Sequence, residues 1–292
     1  AQGAALAGRA YCFLPLPVVT GLPVHVNGYF ELSSNRRDIW LGDRDMIGQG
    51  RLRAEWNAAL LKDIAAPCYA RVLLAAVARA QKRMGDDASA VPRELASLYA
   101  LWPQALPSAP AWRSVVQGAL RNLQSRAVLY AAPASSTPLV DGSVPDAAAG
   151  IGAWVAPQDA VVCGDGVDSA WPGLRRALVL EGVPLVQLPA AVCSVLKDTA
   201  CLREQQLLSP EVVRTQYRAA AGRHGAGCPS LEEQAVGIQL LKYVCSDLLL
   251  STAPGVQQGR AAAGDAGLAA SADFSPLVGL PLLPLASGEM AV

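Results

Sequence analysis

The chain has 292 residues, of which 52% are hydrophobic and 16% charged. That is enough apolar material for a sizeable core, it lacks the polar signature of a disordered segment, and the length is a prior for two domains or one large one. Lys plus Arg and Asp plus Glu both number 24, and a neutral chain with no basic stripe argues against a nucleic-acid binder.

The N-terminal stretch 9–19 is β-rich and carries Pro15 and Pro17. Gly21 and Pro23 mark a turn, and residues 24–32 alternate around Val24, Val26, Tyr29 and Phe30. The pattern predicts two antiparallel strands over 9–32. A polar loop over 33–50 follows, punctuated by Gly42, Gly48 and Gly50, and acids and bases balance through 31–63. From Arg51 a helix is predicted, because Leu52, Trp56, Leu60 and Ile64 recur every four residues as one apolar stripe. Pro67 kinks or restarts it; Tyr69, Val72, Leu73 and Val77 carry the stripe toward Met84, and Gly85 begins its end.

Helices are predicted over 93–102 and 112–125, and a short strand over 127–130. The stretch 131–150, rich in Ala, Pro, Ser and Gly, is read as a flexible linker. Strand pieces follow at 154–157 and 160–163, then a helix over 171–181, Gly182 as its cap and a strand over 184–188. Ser209, Pro210 and Glu211 form a strong helix start. Ser230 with Glu233 fits a capping box, opening a helix over 231–250 with Ala235, Ile238, Leu241, Cys245 and Leu249 on one face. Residues 251–275 are low-complexity and read as mobile, and 276–286 read as a strand whose partner lies beyond the chain.

The fold expected is α+β: a short antiparallel β unit followed by long helices over 1–87, a second helical and α/β domain over 88–250, and a linker with a truncated strand over 251–292. Residues 1–8 show no signal-peptide pattern, no apolar run approaches the roughly 18 residues of a membrane span, and the ends read as those of a fragment. Cys12, Cys68, Cys163, Cys193, Cys201, Cys228 and Cys245 have irregular spacings without a C-x-x-C pair. They point to free thiols rather than a zinc site, and to a reducing, cytoplasmic compartment.

His25 and His224 are the only histidines. Neither adjoins a nucleophile motif, and both read as structural or solvent-exposed; Gly164–Asp165–Gly166 reads as a plain turn. No complete catalytic site is expected. The most distinctive stretch runs from Leu32 to Trp40 and holds Arg36 and Arg37 side by side. Two guanidinium groups on a loop between a strand and a helix can clamp a phosphate, since each binds phosphate through a two-pronged fork. The alternative is a surface ion-pair network with Asp38, Asp43 or Glu55.

The block from Gly8 to Trp40 (GRAYCFLPLPVVTGLPVHVNGYFELSSNRRDIW) resembles the repeat region of sacsin-like proteins, as do EWNAALLKDIAAPCYA (55–70), SLYALWP (97–103), GVPLVQLP (182–189) and GLPLLPLASGE (279–289). In that family each repeat begins with an ATP-binding domain similar to that of Hsp90, of the gyrase, histidine-kinase and MutL group. The resemblance implies that this chain follows such a domain, as an α/β transducer. It implies no cofactor within the chain, with ATP and magnesium only in the upstream domain. It implies Arg37 as the cation presented to the terminal phosphate, with Arg36 as runner-up and Asp38 in the place of the neighbouring acid. The partners implied are the upstream domain, client proteins and Hsp70-type co-chaperones, without nucleic acid or membrane. A repeat that only presents protein-binding surfaces is the second expectation.

Overall fold

The computed structural model describes residues 7–42, 47–85, 87–133, 152–164, 171, 173–180, 182–220, 231–250, 275–277, 283–284 and 290–291. The chain is a mixed α+β protein divided into two compact units. The first comprises Ala1–Ala131, Ile151–Ala160 and Val186–Glu204, the second Ala132–Gly150, Val161–Leu185 and Gln205–Val292.

The first unit opens with β1 (Arg9–Cys12) and β2 (Leu14–Val19). They form an antiparallel hairpin that turns on Phe13 (φ 59°), with Tyr11 opposite Pro15. β3 (Val26–Asn27) lies on the other side of β1 and runs parallel to it, Ala10 opposite Val26. The two antiparallel strands expected over 9–32 are therefore a hairpin inside 9–19 plus a short parallel edge. The turn at Phe13 was hidden because it uses no glycine. Gly8 anchors this unit: its N–H donates to the Leu22 carbonyl at 2.8 Å, and a Cβ there would sit 2.0 Å from the Val24 carbonyl oxygen.

The helical layer begins with α1 (Gln49–Ala59), passes through one π-helical segment (Leu60–Ala65) and continues as α2 (Ala66–Met84). The Ala66 N–H donates to the carbonyl of Leu61, five residues back. This widened turn lies just before Pro67, which has no N–H to give. The stripe expected to face the core does not: Leu52, Trp56 and Ile64 are 58%, 48% and 56% exposed. On α1 and the π segment the buried residues are instead Asn57 and Leu61, whereas on α2 the expected Tyr69, Leu73 and Val77 are buried together with Ala70, Ala76, Ala80 and Met84, and Val72 is 43% exposed. The physical reason is close approach to α4 (Pro110–Leu123), where a Cβ on Gly118 would meet the Ala66 Cβ at 2.9 Å. Alanine and glycine at that seam let the backbones draw near, which a Leu or Trp face would prevent.

α3 (Val91–Tyr99) and α4 lie where their apolar spacing puts them, both against α2, and Trp102, Trp112, Val115, Leu120 and Leu123 are buried. β4 (Leu129–Ala131) pairs antiparallel with β5 (Ala153–Val155), Tyr130 opposite Trp154. It also pairs antiparallel, through Ala131 and Val186, with β7 (Leu185–Gln187), whose first residue falls in the second unit. The expected linker over 131–150 lies almost entirely outside the described residues, as does 251–275 up to Ser275.

In the second unit, β6 (Val161–Cys163), α5 (Leu174–Leu180), α7 (Pro210–Ala220), α8 (Leu231–Val244) and α9 (Ser246–Leu250) surround a core of Cys163, Leu174, Leu178, Val183, Leu185, Val213, Leu240, Tyr243 and Val244. Ser209 caps α7 as expected, its Oγ accepting from the Val212 N–H at 3.3 Å. The single helix expected over 231–250 is two. At the break, the Arg214 guanidinium donates to the Val244 carbonyl and grips both oxygens of Asp247 at 2.8 and 2.7 Å. Ile238, expected to face inward, is 46% exposed. The strand expected near 276–286 is β8 (Leu283–Pro284), and its partner is inside the chain, at β9 (Met290–Ala291). One helix of the first unit, α6 (Ala190–Asp198), was not anticipated; it buries Val192, Val195 and Leu196.

Candidate functional site

The segment from Glu31 to Trp40 is a closed, hairpin-like loop. Its neck is fastened by the Trp40 N–H donating to the Glu31 carbonyl at 2.9 Å and by an antiparallel bridge between Leu32 and Ile39. Above the neck, the Ser33 N–H donates to the Asp38 carbonyl at 2.8 Å, and the Ser33 Oγ accepts from the Asp38 N–H at 3.2 Å. Asn35 organises the tip: its Oδ1 accepts from the Ser33 hydroxyl at 2.7 Å and from the Arg37 N–H at 2.9 Å. The chain then reverses at Arg36, whose φ of 55° lies in the left-handed region and whose N–H donates to the Ser33 carbonyl at 2.8 Å. A non-glycine residue pays roughly 1–2 kcal/mol to stand there.

Both arginines are exposed, and among the described residues neither guanidinium has a hydrogen-bond or ion-pair partner. Of the partners named for a surface network, Glu55 is taken by Arg51 at 2.7 Å, Asp38 makes no ion pair with either arginine, and Asp43 lies outside the described residues. The loop thus presents two positive charges from a backbone organised by its own hydrogen bonds.

What holds the loop was not visible in the sequence. Asn57 of α1 is fully buried at 0% exposure. Its Oδ1 accepts from the Glu31 N–H at 2.9 Å, while its Nδ2 donates to the carbonyls of Glu31 at 2.7 Å and Trp40 at 2.8 Å. One amide therefore clamps both sides of the neck. One turn earlier, Arg53 donates to the Glu31 carboxylate at 3.0 Å and to the Leu32 carbonyl, with its guanidinium 5.6 Å from the centre of the Trp40 ring. The Trp40 indole N–H donates to the Gly50 carbonyl at 2.9 Å, and the Trp56 indole N–H donates to the Tyr29 carbonyl at 2.9 Å. Arg53, Trp56 and Asn57 are spaced i, i+3, i+4, so they share one helix face. An asparagine in mid-helix is a weak helix former, and that mismatch with its place was the available signal.

Chemically, such a site offers fixed positive charge suited to a phosphate. His25 lies apart, its Nδ1 accepting from the Arg9 N–H at 3.0 Å and its ring edge-on to Tyr11. His224, Asp165 and Gly166 lie outside the described residues. No group of three or more His, Cys, Asp or Glu suited to a metal occurs among the described residues. The six described cysteines are free thiols; Cys163 and Cys201 are buried and Cys68 is exposed. No described helix is long and apolar enough to cross a membrane.

Over 129 residues, 42% of its length, the chain is 34% identical to human (Homo sapiens) sacsin. That supports a sacsin-like relation. The chain spans about 3% of sacsin's own length. No protein-family model matches the chain, and no solved structure matches it.

Proposed function

We propose that this chain is a non-catalytic coupling segment of a sacsin-like, Hsp90-related chaperone. In this reading a preceding ATP-binding domain of the same polypeptide holds ATP and magnesium, and the loop from Glu31 to Trp40 offers Arg37 to the terminal phosphate, with Arg36 beside it. The observation that carries the reading is an arginine pair without a partner among the described residues, on a loop whose neck is clamped by a buried asparagine. A preorganised cation stabilises phosphoryl charge without reorganising at the moment of reaction. Because α1 holds the neck through Asn57 and Arg53, a pull on the arginines passes directly into the α1–α2 helix. That is the route by which nucleotide state would reach surfaces that handle client proteins, with Hsp70-type co-chaperones as further partners.

The experiment is ATP turnover by a polypeptide extended to include the preceding domain, comparing Arg37→Ala and Arg36→Ala with the unaltered protein. A fall of roughly a hundredfold for Arg37→Ala supports the reading. Unchanged turnover, or none in the unaltered protein, leaves the second reading: a scaffold repeat without ATP coupling. The apolar stripe of Trp56 and Ile64, turned outward rather than into the core, favours that alternative.

A further inference from the structure

The outward stripe borders a second feature of the first unit. β3 is the edge of the three-stranded sheet β2–β1–β3. Its inner side faces β1, since the Gly28 N–H donates to the Tyr11 carbonyl at 3.0 Å and Val26 and Asn27 stand opposite Ala10 and Tyr11. Successive residues of a strand direct their peptide groups to opposite edges. With Val26 and Gly28 turned to β1, the peptide groups of His25 and Asn27 point away from it, and no described residue pairs with them.

On that side lies a groove of about 210 Å³. One wall is the consecutive run 24–28, and the other is the helix stripe Leu60, Ile64, Cys68 and Val72. Five consecutive residues lining one wall is what a strand seen along its edge gives; a strand seen by its face would contribute every second residue. No Asp, Glu, Lys or Arg lines the groove. A charge placed there would be left without a counter-charge. From Leu60 to Val72 the helix wall runs for about 18 Å at roughly 1.5 Å per residue, a span that an extended segment of about five or six residues covers.

From these features we infer that the groove binds an extended, uncharged peptide segment, which adds to β3 as a further strand and lays its alternate apolar side chains on Leu60, Ile64 and Val72. Backbone pairing with the peptide groups of His25 and Asn27 supplies affinity without regard to sequence, and the helix wall selects for apolar side chains at every second position. The occupant is thus a class of partner, short β-forming stretches such as an unfolded chain exposes. This inference stands whether or not Arg37 senses a nucleotide.

The test uses the full 292-residue chain and a dye-labelled, end-capped six-residue peptide alternating valine and threonine, followed by fluorescence anisotropy. Two controls separate the contributions. Ile64→Glu alters a side chain that is 56% exposed, so the fold should tolerate it. A peptide N-methylated at every residue keeps its side chains but cannot donate a backbone hydrogen bond along either edge. The expected result is saturable binding, weakened roughly tenfold or more by Ile64→Glu and lost with the N-methylated peptide, while bound peptide slows alkylation of the exposed Cys68. Three results would each overturn the inference: no saturable binding into the millimolar range, equal binding of the N-methylated peptide, or a chain that is dimeric through this face and turns monomeric with Ile64→Glu.

Discussion

Replacing Asn57 with alanine should destabilise the first unit far more than a typical helix substitution. The side chain is fully buried and makes three hydrogen bonds, one from the Glu31 N–H and two to the carbonyls of Glu31 and Trp40. Each buried backbone group left without a partner costs about 1–3 kcal/mol. Glu31 and Trp40 are half-buried, so water can reach part of the gap, and alanine regains about 0.6 kcal/mol of helix propensity. The expected net loss is about 3 kcal/mol, a large share of the roughly 5–15 kcal/mol that holds a domain folded. Asn57→Asp should cost a comparable amount, because it keeps the acceptor for the Glu31 N–H but turns a carboxylate toward two carbonyls. Urea unfolding followed by tryptophan fluorescence measures it, since Trp40 and Trp56 flank the clamp. A loss below about 1 kcal/mol for Asn57→Ala would refute the claim that this amide fastens the loop.

Further outcomes follow from other contacts. Gly8→Ala should lower the urea midpoint and perturb the sheet signals in NMR, because its Cβ would meet backbone oxygens of Val24 and Leu22 at 2.0 and 2.5 Å rather than a side chain that can move. In the second unit, the Arg214 guanidinium beside it holds the Asp247 carboxyl below its ordinary range. A depressed folded-state value stabilises above the unfolded carboxylate range and loses that contribution as pH falls through the folded value. The acid limb of an unfolding-versus-pH curve should therefore flatten in Asp247→Asn. Burial raises the Tyr243 hydroxyl to about 12, with Cys163 and Asp247 contributing. The neutral form is the one favoured in the fold, so its contribution is intact below the ordinary tyrosine range near 10 and is lost between there and about 12. Ultraviolet titration should show this tyrosinate appearing late, and Tyr243→Phe should remove that part of the alkaline fall.

The elements that sequence patterns located were those whose signals are local. α3 and α4 follow apolar spacing, and α7 starts at Ser209 and Pro210 because a hydroxyl cap and a proline at the first turn act within a few residues. The elements that were missed depend on distant partners. Which face of α1 and the π segment turns inward is decided by the close seam with α4 at Ala66 and Gly118, and small residues carry almost no weight in an apolar stripe. The parallel placement of β3 depends on Gly8 fitting beneath the carbonyls of Leu22 and Val24. At the candidate site the arginine pair was legible as two adjacent cations in a polar loop. The clamp was not, because Asn57 meets Glu31 and Trp40 across 26 and 17 residues of chain.

The central claim is that the arginine loop reads the terminal phosphate of a nucleotide held by a preceding domain. Hydrogen exchange across residues 31–40, measured in a polypeptide that includes that domain, tests it most directly. With a non-hydrolysable ATP analogue the loop amides should exchange more slowly than with ADP, and Arg37→Ala should erase the difference. Identical exchange in both nucleotide states, with the analogue shown to be bound, would contradict the account and leave the arginines as surface charge on a scaffold.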